Sequence, residues 1–172
     1  MNINQIVSDG YLGGDTDCYV ITKNRTKDYL YRFLDRFLPE RLVFQDEFVI
    51  PPFADESRIA FSSVDELIDY LEKNPGEASS IYWKSLKEND LPFASCTFTD
   101  DDFLILGLSC KRTSKPGDVL LVDWSIAEKY FRELQEFANN TPGYITLEEP
   151  PPENSIEFLK NCEKYCQSEE PT

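Results

Sequence analysis

The chain has 172 residues, 41% of them hydrophobic and 13% aromatic, with 32 Asp plus Glu against 17 Lys plus Arg. That length and apolar content suit one globular domain, which buries roughly 70% of its unfolded surface without a disulfide or metal staple. A formal charge of −15 and a pI near 4.3 repel phosphate backbones and anionic lipid surfaces, which argues against direct binding of nucleic acid or membranes.

The opening residues MNINQIVSDGYLGGD hold no basic stretch followed by an apolar run, so no secretory signal is expected. No segment approaches the ~20 apolar residues of a membrane span. A cytoplasmic location follows as the expectation. There Cys18, Cys96, Cys110, Cys162 and Cys166, odd in number and irregular in spacing, read as reduced and mostly buried thiols.

In chain order, residues 17–22 (DCYVIT) read as a first strand behind the flexible Gly13-Gly14. A helix over 26–38 follows, its apolar residues Tyr29, Leu30, Phe33, Leu34, Phe37 and Leu38 repeating on one face, with Pro39 as its stop. Residues 42–50 look extended and run into Pro51-Pro52, and a short strand is expected at 58–61. Ser63 with Glu66 predicts a capping box, and Val64, Leu67, Ile68 and Leu71 the apolar face of the helix behind it.

The middle of the chain reads as an antiparallel meander. Residues 80–84 are one strand, and 94–99 alternate as in a half-buried strand. Past the polar turn Asp100-Asp101-Asp102, residues 103–108 (FLILGL) are apolar on both faces, as in a covered central strand. Pro116-Gly117 marks a turn, and 119–122 is a strand or a helix lead-in. A second capping box, Ser125 with Glu128, predicts a helix bearing Ile126, Tyr130, Phe131, Leu134 and Phe137 and broken by Pro142-Gly143. A strand over 144–147, an extended Pro150-Pro151-Pro152 and a helix over 155–167 complete the reading. The helix lines up Phe158, Leu159, Cys162, Tyr165 and Cys166 on one face. Helices and strands mix without regular βαβ alternation. The expected fold is therefore α+β: a mainly antiparallel sheet of about five strands against three or four helices.

Much chemistry is missing. The absence of histidine removes the commonest general base and zinc ligand, and with them every Ser-His or Cys-His nucleophile. Seven glycines form neither GxGxxG nor GxxxxGK[ST], and the cysteines form no CxxC. What remains for an enzyme is carboxylate chemistry: Asp15 and Asp17 as a DxD, or Asp100 to Asp102, as oxygen ligands of Mg²⁺ or Ca²⁺. Neither has the spacing of an EF-hand. A chain without cofactor that acts by binding, not by catalysis, is the better reading.

Acidic residues cluster at Asp15/Asp17, Asp46/Glu47, Asp55/Glu56, Asp100 to Asp102, and Glu148/Glu149 with Glu153. Several lie beside aromatics, the arrangement of anchor residues inside a charged rim. Two kinds of partner follow. One is a basic protein whose cationic site the carboxylates mask; the other is a DNA-binding machine addressed by a nucleic-acid mimic with carboxylates in phosphate-like rows. The scattered clusters favour the first.

With DYLYRFLDRFLP, SIYWKSL, FTDDDFLILGLS and GYITLEEPPPE, the chain resembles in general character the small immunity proteins of bacterial polymorphic-toxin and contact-dependent inhibition systems. The resemblance implies a cytoplasmic antidote that binds the catalytic domain of a cognate toxin; no site residue follows from it. From charge clustering alone, the expected partner-binding residues are Asp100, Asp101, Asp102, Glu148, Glu149 and Glu153, with Asp15 and Asp17 behind them. A regulatory or structural subunit is the competing reading, and a carboxylate-dependent or metal-dependent enzyme the third.

Overall fold

The structure, a computed structural model, describes residues 14–50, 59–115 and 118–166. The acidic pair Asp55/Glu56, the proline pairs and turns at 51–52 and 116–117, and the tail beyond Cys166 lie outside the described residues. The elements run β1 (Asp15–Thr22), α1 (Lys27–Phe37), β2 (Arg41–Val43), β3 (Val49–Ile50), β4 (Ile59–Ala60), α2 (Val64–Lys73), β5 (Ser79–Ser85), β6 (Phe93–Phe98) and β7 (Leu104–Lys111). Then come β8 (Thr113–Lys115), β9 (Asp118–Asp123), α3 (Ser125–Phe137), β10 (Gly143–Leu147) and α4 (Ser155–Cys166).

Six strands form one sheet in the order β10-β1-β7-β6-β5-β2, each adjacent pair antiparallel. Two short ribbons, β3-β4 and β8-β9, stand apart from it. The architecture is the α+β fold expected, with one strand more than the sequence suggests. The meander of β5, β6 and β7 is present, and the apolar run at 104–108 is the centre of the sheet.

Strand alternation sorts the sheet into two faces. One carries Cys18, Val20, Ile81, Trp83, Ala94, Cys96, Phe98, Leu104, Leu106, Leu108 and Cys110, buried under the apolar stripes of α1, α2 and α3. Thr26 caps α1 by accepting the Tyr29 N–H at 3.3 Å, and Tyr29, Leu30, Phe33, Leu34 and Phe37 face inward. The other face is covered at the β10 side by α4, whose Phe158 and Cys162 pack on Tyr19, Ile21, Ile105 and Tyr144. Cys18, Cys96, Cys110 and Cys162 are buried, as expected.

Four details differ from the sequence reading. Ser63 does cap α2, accepting the Glu66 N–H, but the Glu66 carboxylate reaches back to the Ser62 N–H at 2.9 Å, one residue earlier than a capping box has it. At α3 the cap position is Trp124, not Ser125; it is already in a helical conformation, and the Asp123 carboxylate takes the Ser125 N–H at 3.0 Å. That helix ends on Asn139 and Asn140, both left-handed at φ 59° and 57°, before Pro142 is reached. Along α4, Leu159 leaves the predicted stripe and is exposed.

Candidate functional site

Asp15 and Asp17 are two apart on β1, so both side chains point to the face that α4 only partly covers. Pairing brings Asp17 opposite Thr146 of β10 and Ser109 of β7. It is 9% exposed, and the Ser109 hydroxyl donates to its Oδ1 at 2.6 Å. Glu148 follows β10 in a left-handed conformation, φ 53°, and its side chain folds back beside the start of β1. Its carboxylate occupies the space beside Gly14, where a Cβ would fall 1.7 Å from Glu148 Oε1.

These three carboxylates share a cleft of about 290 Å³ with Tyr19, Tyr82, Ser95 and Pro150. Gly107 lies beneath two of them: a side chain there would meet Ser95 Oγ at 2.3 Å and the Tyr19 ring at 2.7 Å, so glycine lets the tyrosine lie across β7. The Tyr19 hydroxyl donates to the Glu149 carbonyl at 3.2 Å, tying the acidic loop after β10 to the sheet. Nearby, the open face continues as Tyr82 and a Phe44–Phe93 ring pair at 5.3 Å, with Phe44 55% exposed.

The electrostatics are those of crowded anions. Burial pushes the Asp17 carboxyl up to about 6; the Ser109 hydrogen bond opposes this, and the charges of Asp15 and Glu148 add to it. Burial and Glu148 likewise raise Asp15, with Arg112 and Lys111 pulling the other way. Such a cleft accepts a proton or an incoming cation. Among the described residues no group of three or more His, Cys, Asp or Glu side chains is arranged to hold a metal ion. No described helix is long and apolar enough to cross a membrane.

The remaining predicted site residues lie elsewhere. Asp15 pairs with Lys111 at one end of β1 and Thr22 with Leu104 at the other, so the Asp100–Asp102 turn, which precedes Leu104, belongs to the end of the sheet opposite Asp15. Two of its carboxylates serve the fold. Asp101 accepts the Ser155 N–H at 2.9 and 3.1 Å and the Ser155 hydroxyl, which anchors the start of α4. Asp102, at φ 73°, pairs with Arg25, which is 7% exposed, also donates to the Leu71 carbonyl at 3.0 Å, and lies over the Phe98 ring. Asp100 and Glu153 are exposed, joined through the Asp100 N–H and the Glu153 carbonyl at 3.1 Å. The Glu149 carboxylate accepts from the Tyr165 hydroxyl and lies 3.8 Å from Lys164.

The structure therefore brings together Asp15, Asp17, Glu148 and the Glu149 backbone, and leaves Asp100, Asp101, Asp102 and Glu153 outside the cleft. Tyr19, one of the aromatics that lie beside the acidic clusters in the sequence, joins the site, and Tyr82, Ser95 and Ser109 join it without a signal of their own. Gly107, a lone glycine inside an apolar strand run, is the one sequence signal of a close approach there. No protein-family model matches the chain, and neither a curated protein nor a solved structure is significantly similar to it.

Proposed function

We propose that the chain acts by binding a basic protein, as a stoichiometric inhibitor of a bacterial toxin domain, the role that its resemblance to small immunity proteins implies. The observation that carries the reading is the convergence of Asp15, Asp17 and Glu148 in one cleft beside Tyr19 and Tyr82. Holding Asp17 there raises its pKa to about 6, which is a cost to the folded state. A lysine or arginine entering the cleft relieves that cost, since an opposite charge favours the anion. The tyrosines supply the rigid apolar contact typical of an interface centre. The net charge of −15 adds long-range attraction, which speeds encounter with a basic surface. A concave cluster of this kind suits masking a cationic site better than the evenly spaced carboxylates of a nucleic-acid mimic.

The test is co-expression with the product of the neighbouring gene. Protection of the host from a toxic product, together with a one-to-one complex, is the expected result. The double substitution Asp15→Lys/Glu148→Lys should slow association at least tenfold and flatten its salt dependence. A non-toxic neighbour that does not bind sinks the toxin assignment, and unchanged association of the double variant sinks the cleft.

A further inference from the structure

We propose that the outer edge of β10 is a docking site for an extended, basic segment of a partner protein, added antiparallel as a seventh strand. Strand β10 ends the sheet, with β1 on one side and no described strand on the other. The Ile21 N–H donates to the Pro142 carbonyl at 3.2 Å, which sets the antiparallel phase. Backbone groups of Tyr144 and Thr146 then point to β1, and those of Gly143, Ile145 and Leu147 point outward.

Free edges are normally blunted by shortness, charge, proline or a bulge. The opposite edge, β2, is treated so: three residues long, it carries Arg41 and follows Pro39-Glu40. In contrast, β10 (GYITL) has five residues with no charge and no proline, in unbroken register with β1.

That edge opens into a groove of about 870 Å³. One wall is a single stripe of α3, Glu128, Phe131, Arg132 and Gln135, spaced i, i+3, i+4 and i+7; the other is Tyr165 with Glu149. Stacking on Tyr144 at 5.2 Å and 16° holds the Tyr165 ring in place. A strand in this groove pairs with the outward N–H and C=O groups and buries alternate side chains against Phe131 and Tyr165.

Charge selects the segment. Glu148 and Glu149 stand at the C-terminal end of β10, where Lys164, 3.8 Å from Glu149, offsets one charge and leaves the end net negative, whereas Asn139-Asn140-Thr141-Pro142 at the other end is uncharged. Arg132 lies 3.7 Å from Glu128 and is offset by it. An antiparallel strand therefore presents its N-terminal half to the acidic end, where Lys or Arg fits. A second copy of the chain is the wrong occupant: it brings its own charge of −15, and its β10 offers no cation. The inference takes the basic character of the partner from the function proposed above, but it uses the outer edge of β10, which meets the cleft at Glu148.

The probe is the blocked peptide KVKVTVT, titrated into the full chain while backbone amides are followed by NMR. Amide exchange at Ile145 and Leu147 should slow at least tenfold on binding, and the acidic analogue EVEVTVT should not bind. Leu147→Pro removes one outward donor. Leu147→Lys, at a side chain already 40% exposed, adds a repelling charge without disturbing the core. Each should weaken KVKVTVT at least tenfold. Undiminished binding to Leu147→Lys, protection centred on the cleft instead of β10, no binding at millimolar peptide, or self-association through β10 would each overturn the proposal. Peptide binding to the Leu147 variants reads the β10 edge, whereas toxin association of the single variant Asp15→Lys, which leaves Glu148 in place, reads the cleft, so either can fail without the other.

Discussion

Moving the Asp17 carboxyl from water to its place on β1 raises its pKa to about 6, first through burial and then through Asp15 and Glu148, against the Ser109 hydrogen bond. Between pH 4 and 6 the folded chain thus holds a proton that the unfolded chain has released. Stability contributed by this group falls as pH rises through that window, and the cost is complete above pH 6. Two pKa units set an upper bound of about 3 kcal/mol. Asp17→Asn keeps an acceptor for Ser109 and removes the buried charge. It should stabilise the fold by about 1–2 kcal/mol at pH 7.5, with the gain vanishing near pH 4 in urea titrations. A variant that is no more stable at either pH counts against a strained carboxylate. Asp102 is the opposite case. It neutralises the buried Arg25 guanidinium, so Asp102→Ala leaves that charge without its carboxylate and should cost about 2 kcal/mol. Asp102→Asn, which still accepts and tolerates φ 73°, should cost less, and equal losses in the two variants would mean that the ion pair contributes little.

At the scale of elements, α4 depends on a residue 54 positions away. Asp101 binds the Ser155 N–H and hydroxyl, satisfying a donor of the first turn as a helix cap does. Burial works to raise its pKa, but hydrogen bonds from the Ser155 and Thr99 side chains and the Ser155 backbone outweigh it and hold the carboxyl low. A depressed carboxylate stabilises the fold above its unfolded pKa near 4 and loses that contribution as pH falls through the folded value. Asp101→Ala should therefore cost about 1–2 kcal/mol at pH 7 and almost nothing near pH 2. Hydrogen exchange at pH 7 should place the loss in α4; faster exchange spread over the whole sheet instead would contradict a local cap. This link explains what the sequence makes legible and what it hides. The stripe of α1, the alternation of β6 and the two-sided apolar run of β7 are local patterns, and each element forms where its pattern lies. The pairing of β1 with both β7 and β10 joins residues about 90 and 130 apart, and no local period encodes it. The DxD spacing does place Asp15 and Asp17 on one face. Glu148 reaches them only through the β10 register, and serines on a strand such as Ser95 and Ser109 carry no signal of the cleft they line. Conversely, Asp100 to Asp102 read as a solvent-facing turn because nothing local shows Arg25 or Ser155 arriving from elsewhere.

Across the whole molecule, salt acts on two opposed quantities. The ion pairs of the fold, such as Lys27 with Asp65 and Asp69 at 3.0 and 2.9 Å, are mostly exposed, and each contributes about 0–1 kcal/mol that salt weakens. Against them stands the mutual repulsion of 32 acidic residues only partly offset by 17 basic ones. At low ionic strength the Debye length is about 30 Å at 0.01 M, long enough for repulsion to act across the whole domain; at 0.1 M it is about 10 Å. Repulsion is summed over many pairs at long range, whereas attraction is confined to a few close contacts that are screened less. Added salt should thus remove more repulsion than attraction. Raising KCl from 0.01 to 0.3 M should move the urea midpoint upward, by about 1–2 kcal/mol of stability. A downward shift would mean that the ion pairs dominate. Association with a basic partner must respond in the other direction, because screening removes the attraction that steers encounter. A chain that salt stabilises while salt slows its binding is the signature expected if the acidic surplus serves recognition. If salt leaves the association rate unchanged, the charge serves solubility alone.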